Sequence, residues 1–356
     1  MPESLTIQSY KGPYEVHFDA ALRSHAGQLL AGETHALVDA KVARLYSEAL
    51  APILSLPTTI LIDATEENKS IERIIPVIER LVENKIRRDH VLLAIGGGII
   101  QDITCFIAST LMRGVTWHFV PTTLLAQADS CIGSKSSVNL GATKNILGTF
   151  NPPAKIVIDA GLLDTLDPVD VRSGIGEIIK VHAIDGAESF DRLAAEFDQL
   201  TTDRAVLARF IRSALLIKQR YIEIDEWDRG VRNIFNYGHS FGHAIEAATG
   251  FGVPHGIAVT MGMAMANHIA VQRGLTSEEN RRRMLPVLRK NFAEFGSFPI
   301  ANDDLLGALM KDKKNTSTRL VVILPTGEEA RIERVQVPPD EIFRAQCATA
   351  LEALAA

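Results

Sequence analysis

Cysteine is scarce: Cys105, Cys131 and Cys347 are the three in 356 residues, widely separated and without a Cys-x-x-Cys pair. That spacing excludes a disulfide framework and a cysteine metal cluster. No apolar run is long enough to span a bilayer. The opening residues, MPESLTIQSYKG, carry neither the basic n-region nor the apolar h-region of a secretory signal. There is no excess of positive charge either. The formal net charge of -6 argues against general affinity for nucleic acid or anionic membranes, while leaving room for a local basic pocket that holds a small anion. Internal repeats and low-complexity tracts are absent. Together these absences point to a cytoplasmic protein of a reducing compartment.

What is present is a globular composition, 46% hydrophobic and 22% charged, on a chain long enough for two domains with separate cores. The first part alternates short β-rich runs with helical patterns. HALVDA (35–40), TTILIDA (58–64), HVLLAIGGG (90–98), TWHFVPTT (116–123) and AKIVIDA (154–160) read as strands, VARLYSEALAPIL (42–54) and SIERIIPVIERLVENKI (70–86) as helices. From Asp167 onward the pattern is mainly helical, and RLVVILPTG (319–327) is the one clear strand. The expectation is α/β: a Rossmann-like nucleotide-binding domain with a parallel sheet over 1–167, then a mainly α-helical metal- and substrate-binding domain over 168–356. A cleft between two such domains is a favoured ligand site.

The densest chemistry lies in RNIFNYGHSFGHAIE (232–246), followed by PHG (254–256). His239 and His243, four apart on a helix, share one face. His255 follows in a Gly/Pro-bounded loop, and upstream SGIGEIIK sets Glu177 and Lys180 one helical turn apart. Two imidazoles and a carboxylate suit a divalent cation with an open coordination position, the catalytic kind of site. Read without other ligands, the helix pair also fits one buried and one solvated histidine. Gly238 and Gly242 bracket His239, weakening the helix by roughly 1 kcal/mol each relative to Ala, which suggests close approach to something. The Gly96–Gly98 turn between a strand and a helix suits either a pyrophosphate or tight packing. Asp39, ending a strand, could bind a ribose hydroxyl or cap a loop. The polar stretch 121–148 holds Asp129, Lys135, Lys144 and Asn145, and reads as a solvated loop or a substrate loop. Lys180, Lys218, Lys313 and Lys314 each lie near acidic residues, as surface ion pairs or as parts of an anion pocket.

In combination, GGGIIQD, MRGVTWHFVPTTLLAQADS, KNILG, GEIIK and RNIFNYGHSFGHAIE with its trailing HG resemble the 3-dehydroquinate synthase family of sugar phosphate cyclases, from about Asp39 to Leu324. The resemblance implies NAD and a divalent metal, zinc or cobalt, as cofactors, with Glu177, His239 and His255 as the metal ligands. It moves His243, with Asn236, to the substrate, where spacing alone had put both helix histidines on the metal. Lys180, Lys218 and Asp129 match catalytic positions. Arg113, Lys135, Asn145, Arg232, Lys313 and Lys314 match substrate positions, with Arg113 reaching a neighbouring subunit's substrate phosphate and so implying a homodimer. Asp39, Glu66, Lys69, Gly96, Gly97, Gly98, Asp102, Thr122, Thr123, Lys144, Leu162 and Thr165 match NAD-binding positions.

The implied reaction converts 3-deoxy-D-arabino-heptulosonate 7-phosphate to 3-dehydroquinate and phosphate in the shikimate pathway, through transient oxidation, elimination, reduction and intramolecular aldol closure. Alternatives are a secondary-metabolism cyclase of the aminodehydroquinate, 2-deoxy-scyllo-inosose or valiolone type, or a polyol dehydrogenase of the glycerol dehydrogenase type. GEIIK and KNILG point away from the last. Gly133–Ser136, Leu140-Gly141, Thr143, Asp228 and Lys41 depart from the usual family pattern, and these departures bear on the substrate. Relatives that cyclise sedoheptulose 7-phosphate typically lose the second histidine of GHSFGH, which is intact here.

Overall fold

A computed structural model describes residues 4–20, 22–141, 143–311 and 319–355. Lys313 and Lys314 lie outside the described residues. The chain forms two compact units, one of Met1–Leu166 with Lys218–Trp227, the other of Asp167–Ile217 with Asp228–Ala356.

The first unit contains β1 (Ser4–Ile7), β2 (Tyr14–Phe18), β3 (Thr34–Asp39), α1 (Ala40–Leu45), α2 (Ala51–Leu54), β4 (Ile60–Ile62), α3 (Ile71–Glu83), β5 (Val91–Gly96), α4 (Gly98–Thr110), β6 (Thr116–Pro121), β7 (Val138–Leu140), β8 (Thr143–Leu147) and β9 (Lys155–Ile158). Seven strands form one sheet in the order β1-β2-β9-β6-β5-β3-β4. All neighbours pair parallel except β1 with β2. The central strands are buried nearly throughout, which explains why VLLAIG and HALVD read as continuous apolar runs without alternation. Leu93 and Ile95 of β5 pack with Ala36 and Val38 of β3 in one core.

Two stretches of this part of the chain differ from the sequence reading. The single helix expected over 42–54 is broken: α1 ends at Leu45 and α2 starts at Ala51, with Pro52 in its first turn. Proline is tolerated there and disfavoured mid-helix, so the apolar period continues across a break that it does not report. The stretch 121–148 is largely structured, with a π-helical turn at Ala126–Ser130 and the antiparallel β7–β8 hairpin.

The second unit contains α5 (Pro168–Asp185), α6 (Ala187–Glu196), the first part of α7 (Arg204–Ile224), α8 (His239–Ala248), α9 (His255–Gln272), α10 (Glu278–Phe292), α11 (Asn302–Met310), β10 (Leu320–Thr326), β11 (Arg331–Val337) and α12 (Glu341–Ala355). The α9 helix is buried on nearly every side, consistent with a sequence apolar all round, and packs against α5, α8, α10 and α12. The strand expected at 319–327 is β10, paired with β11, whose alternating sequence RIERVQV had not been read as a strand.

Lys218–Trp227, the end of α7 with the turn after it, groups with the first unit, whereas the sequence reading gave it to the second. Gln219 Nε2 donates to the Thr6 carbonyl at 2.8 Å, and Glu223 Oε1 accepts from the Gln8 amide at 3.0 Å. Helical periodicity does not report which core each half of a long helix joins. All three cysteines are free and buried, and burial pushes each thiol up to about 12. Among the described residues, no helix is long and apolar enough to cross a membrane.

Candidate active site

Glycines bring the histidines and Glu177 together. A Cβ at Gly256 would stand 1.8 Å from the Ser173 carbonyl oxygen, and one at Gly176 would stand 2.1 Å from the Gly256 oxygen. The backbones of α5 and α9 therefore touch beside Glu177 and His255. On the other side of α9, a Cβ at Gly262 would lie 2.1 Å from the Gly238 oxygen, and Gly242 faces Ala258 at 3.1 Å. This is the close approach that the glycines around His239 had suggested. Gly238 also has φ +77°, a left-handed conformation that opens α8.

The imidazoles of His239, His243 and His255 converge, each offering a ligand atom within 4.8 Å of the others. Glu177 Oε1 lies 3.6 Å from His239 Nε2 and 3.4 Å from His255 Nε2. The Glu177 carboxylate is buried and forms an ion pair through Oε2 with buried Lys180, whose ammonium also lies 5.8 Å from the Phe235 ring centre. Burial, then the positive charge of Lys180 and the other imidazoles, holds His239 well below the usual histidine range. It is neutral and free to donate a lone pair. His239 Nδ1 faces the Tyr237 carbonyl at 3.4 Å. His255 behaves oppositely. Burial would lower it, but hydrogen bonds and charge from Glu177 and Glu246 outweigh burial and push it up to about 10. His243 is the exposed member of the three. Arg232 is buried in the 3-10 turn that leads to α8, and Asn236 Nδ2 in the same turn donates to the Asn233 carbonyl at 3.0 Å.

In the first unit, the glycine turn joins β5 to α4. A Cβ on Gly96 would clash with Ile100 at 2.4 Å and one on Gly97 with Thr123 Cγ2 at 2.8 Å, so those two glycines have packing reasons. A Cβ on Gly98 would meet nothing within 4 Å. Gly98 is the first residue of a 13-residue helix, so open space lies at the positive end of a helix dipole. Thr122 follows β6, its amide donating to the Gly96 carbonyl at 2.9 Å, and Thr123 Oγ1 accepts from the Ala126 amide at 3.3 Å.

Several other expected cofactor residues form one network. Buried Lys69 reaches Asp102 at 3.3 Å, Asn145 Oδ1 at 3.0 Å and Glu66 at 3.6 Å. Asp102 accepts from the Ser137 amide at 3.0 Å, and burial raises its carboxyl to about 6 despite Lys69. Asn139, which the sequence reading had not singled out, joins Glu66 to Asn145. Asn145, expected at the substrate, thus shares a network with residues expected at the cofactor. Asp39 Oδ1 accepts from the Lys41 amide at 2.8 Å, a helix cap. The Leu162 side chain is buried in the sheet core, and Tyr46 donates to its carbonyl and contacts Thr165 Oγ1, both at 3.0 Å. Lys218 pairs with Asp129 within this unit. Lys135 and Lys144 are exposed.

Models of the 3-dehydroquinate synthase N-terminal and C-terminal domains match residues 59–173 and 174–315. A curated 3-dehydroquinate synthase of Alkaliphilus metalliredigens is 34% identical over 346 residues, covering 96% of this chain and 97% of that protein. The chain belongs to the 3-dehydroquinate synthase family. Another member, from Acidithiobacillus ferrooxidans, is 35% identical over 351 residues, covering 95% of this chain and 96% of its own. Among solved structures, the 2-epi-5-epi-valiolone synthase of Streptomyces hygroscopicus, with NAD+ and Zn2+ bound, matches with TM-score 0.82 at 30% identity over 96% of each chain.

For a 3-dehydroquinate synthase family member, the residues present suit both cofactors. Two ligands about 2.0–2.1 Å from a tetrahedral zinc ion stand roughly 3.3 Å apart. The 3.4 and 3.6 Å gaps around Glu177 Oε1 are near that spacing. The clear space at Gly98 suits the approach of a phosphate to backbone amides. Arg113 stands on a turn with Met112 at φ 50°, itself at 65° and Gly114 at 129°. It lines a pocket of about 430 Å³ with Lys11 and Arg88. Left-handed conformations at two successive non-glycine residues are costly and cluster at functional positions.

Proposed function

We propose that the chain is a 3-dehydroquinate synthase, converting 3-deoxy-D-arabino-heptulosonate 7-phosphate to 3-dehydroquinate and phosphate in the shikimate pathway. The observation that carries this reading is the convergence of Glu177, His239 and His255 with an intact, exposed His243 beside them. Glu177, His239 and His255 would hold the divalent metal, and the Gly98 helix terminus with Asp39, Glu66, Lys69, Asp102, Thr122, Thr123, Lys144, Leu162 and Thr165 would hold NAD. When bound, the metal polarises the substrate oxygens and NAD takes up and returns a hydride, so no net NADH forms.

The remaining work belongs to this chain's side chains. Lys180 pairs with Glu177 and orients its carboxylate in a buried setting. His243 and Asn236 bind the substrate's hydroxyls and assist while the substrate's own phosphate takes the proton from the carbon beside the transient ketone and leaves with it. Arg232, Lys135, Asn145, Lys218 and the Lys313/Lys314 pair offset the charge of its carboxylate and phosphate, with Asp129 orienting Lys218. Holding both ends of the ring-opened product favours intramolecular aldol closure over escape. Arg113 is assigned to a partner subunit's substrate phosphate, which makes the working form a homodimer. A cytoplasmic location belongs to the same proposal, supported by three unpaired buried thiols.

Phosphate release with the heptulosonate, sedoheptulose 7-phosphate and glucose 6-phosphate tests the substrate. Turnover with the first alone, without steady-state NADH, is expected. Absence of turnover with the heptulosonate, alongside turnover of either other sugar, would overturn the assignment.

A further inference from the structure

We infer that Glu246 is a positioning residue for the metal site: it accepts from His255 Nδ1–H and thereby aims His255 Nε2 at the point faced by Glu177 Oε1. The inference rests on the metal-site reading above. Both carboxylate oxygens of Glu246 lie near Nδ1, Oε1 at 3.3 Å and Oε2 at 3.2 Å. The opposite ring nitrogen, Nε2, is the one 3.4 Å from Glu177 Oε1. A hydrogen bond from Nδ1–H fixes the tautomer that leaves the Nε2 lone pair available, and an anionic acceptor makes that lone pair more basic. His239 is oriented differently, with its Nδ1 facing the neutral carbonyl of Tyr237.

The placement of Glu246 opposes local helix preference: it is two residues from the end of α8, where a carboxylate meets the negative end of the helix dipole. His239, His243 and Glu246 also follow the spacing of a single helical stripe, so one face of α8 presents all three. The turn after α8 supports the geometry: the Phe251 amide donates to the Glu246 carbonyl at 2.7 Å, and Gly250 and Phe251 take φ 58° and 64°. That sharp return sets His255 against the residue it leaves behind. The Glu246 side chain is 14% exposed, so solvent competes weakly for the contact.

The test is metal affinity, measured by titrating Co2+ into metal-stripped full-length protein against a chelator, with the cobalt absorption spectrum recorded. Glu246→Ala is expected to weaken Co2+ binding by about 10–100-fold and to alter the spectrum. Glu246→Gln, which keeps an acceptor for Nδ1–H, is expected to recover most of that loss. Should Glu246→Ala fail to fold, Glu246→Met carries the same comparison. Wild-type affinity and spectrum in the variant without an acceptor overturn the role of Glu246 and leave the metal reading standing, as does a Gln variant no better than that variant. Wild-type protein that takes up no Co2+ sinks the metal reading, and the role of Glu246 with it.

Discussion

Gly176 and Gly256 meet backbone to backbone, and each is followed or preceded by a residue assigned to the metal: Glu177 after the first, His255 before the second. The contact between α5 and α9 thus decides how far apart a carboxylate and an imidazole stand. Gly256→Ala would place a Cβ 1.8 Å from a main-chain oxygen that cannot rotate away. We expect a loss of about 3 kcal/mol or more in stability and the loss of bound metal. Gly307→Ala at an exposed position of α11, where a Cβ meets nothing within 4 Å, is the control and should be neutral or stabilising by about 0.5–1 kcal/mol. Thermal unfolding with metal analysis reads both.

The two helix histidines should separate by function. His239→Ala is expected to abolish both bound metal and turnover. His243→Ala should retain metal while slowing phosphate elimination, since the exposed imidazole is assigned to substrate. Metal content and single-turnover phosphate release check this, and equal metal loss in both variants would show the division to be wrong.

Within the glycine turn, Gly98 and Gly97 should respond in opposite ways. Gly98→Ala has room, so it should fold with unchanged or slightly raised thermal stability while NAD binding weakens at least about tenfold. Gly97→Ala pushes against Thr123 and should lower stability. NAD titration and thermal melts of the two proteins make the comparison.

Acid should destabilise the fold partly through His118 on β6. Burial, with Lys155 adding, pushes its imidazole down to about 4, so the folded state keeps it neutral where the unfolded chain protonates near 6.5. The unfolded state then binds more protons, and stability falls as pH drops from about 6.5 towards 4, by at most ~1.4 kcal/mol per pH unit from this group. His118→Gln should flatten that slope. Urea unfolding at pH 7 and pH 5 for both proteins gives the difference.

Strand positions in the first unit were legible because buried parallel strands read as apolar runs, and β5 and β6 lie within the segments expected. The boundary of α1 was not, since apolar spacing continues past Leu45 while the helix does not. The hairpin of β7 and β8 escaped notice because its polar, exposed second strand has no alternation to detect. At the site, the spacing of His239 and His243 placed two imidazoles on one face, while their division between metal and substrate is what the family resemblance implies and spacing alone does not give. Glycine pairs could be suspected of close approach; which helices they join is a tertiary fact. Glu246 did have a signal, three residues after His243 on the same stripe, hidden because a glutamate late in a helix is ordinary composition.

The sealed, fully protonated thiols have a practical corollary for the measurements above. Cys105, Cys131 and Cys347 are buried, and burial pushes their thiols up to about 12, so each is expected to react slowly with air and alkylating reagents. Purification can therefore omit dithiol reductants, which themselves scavenge zinc and cobalt. A single cysteine introduced on the surface would be the one position a maleimide dye labels.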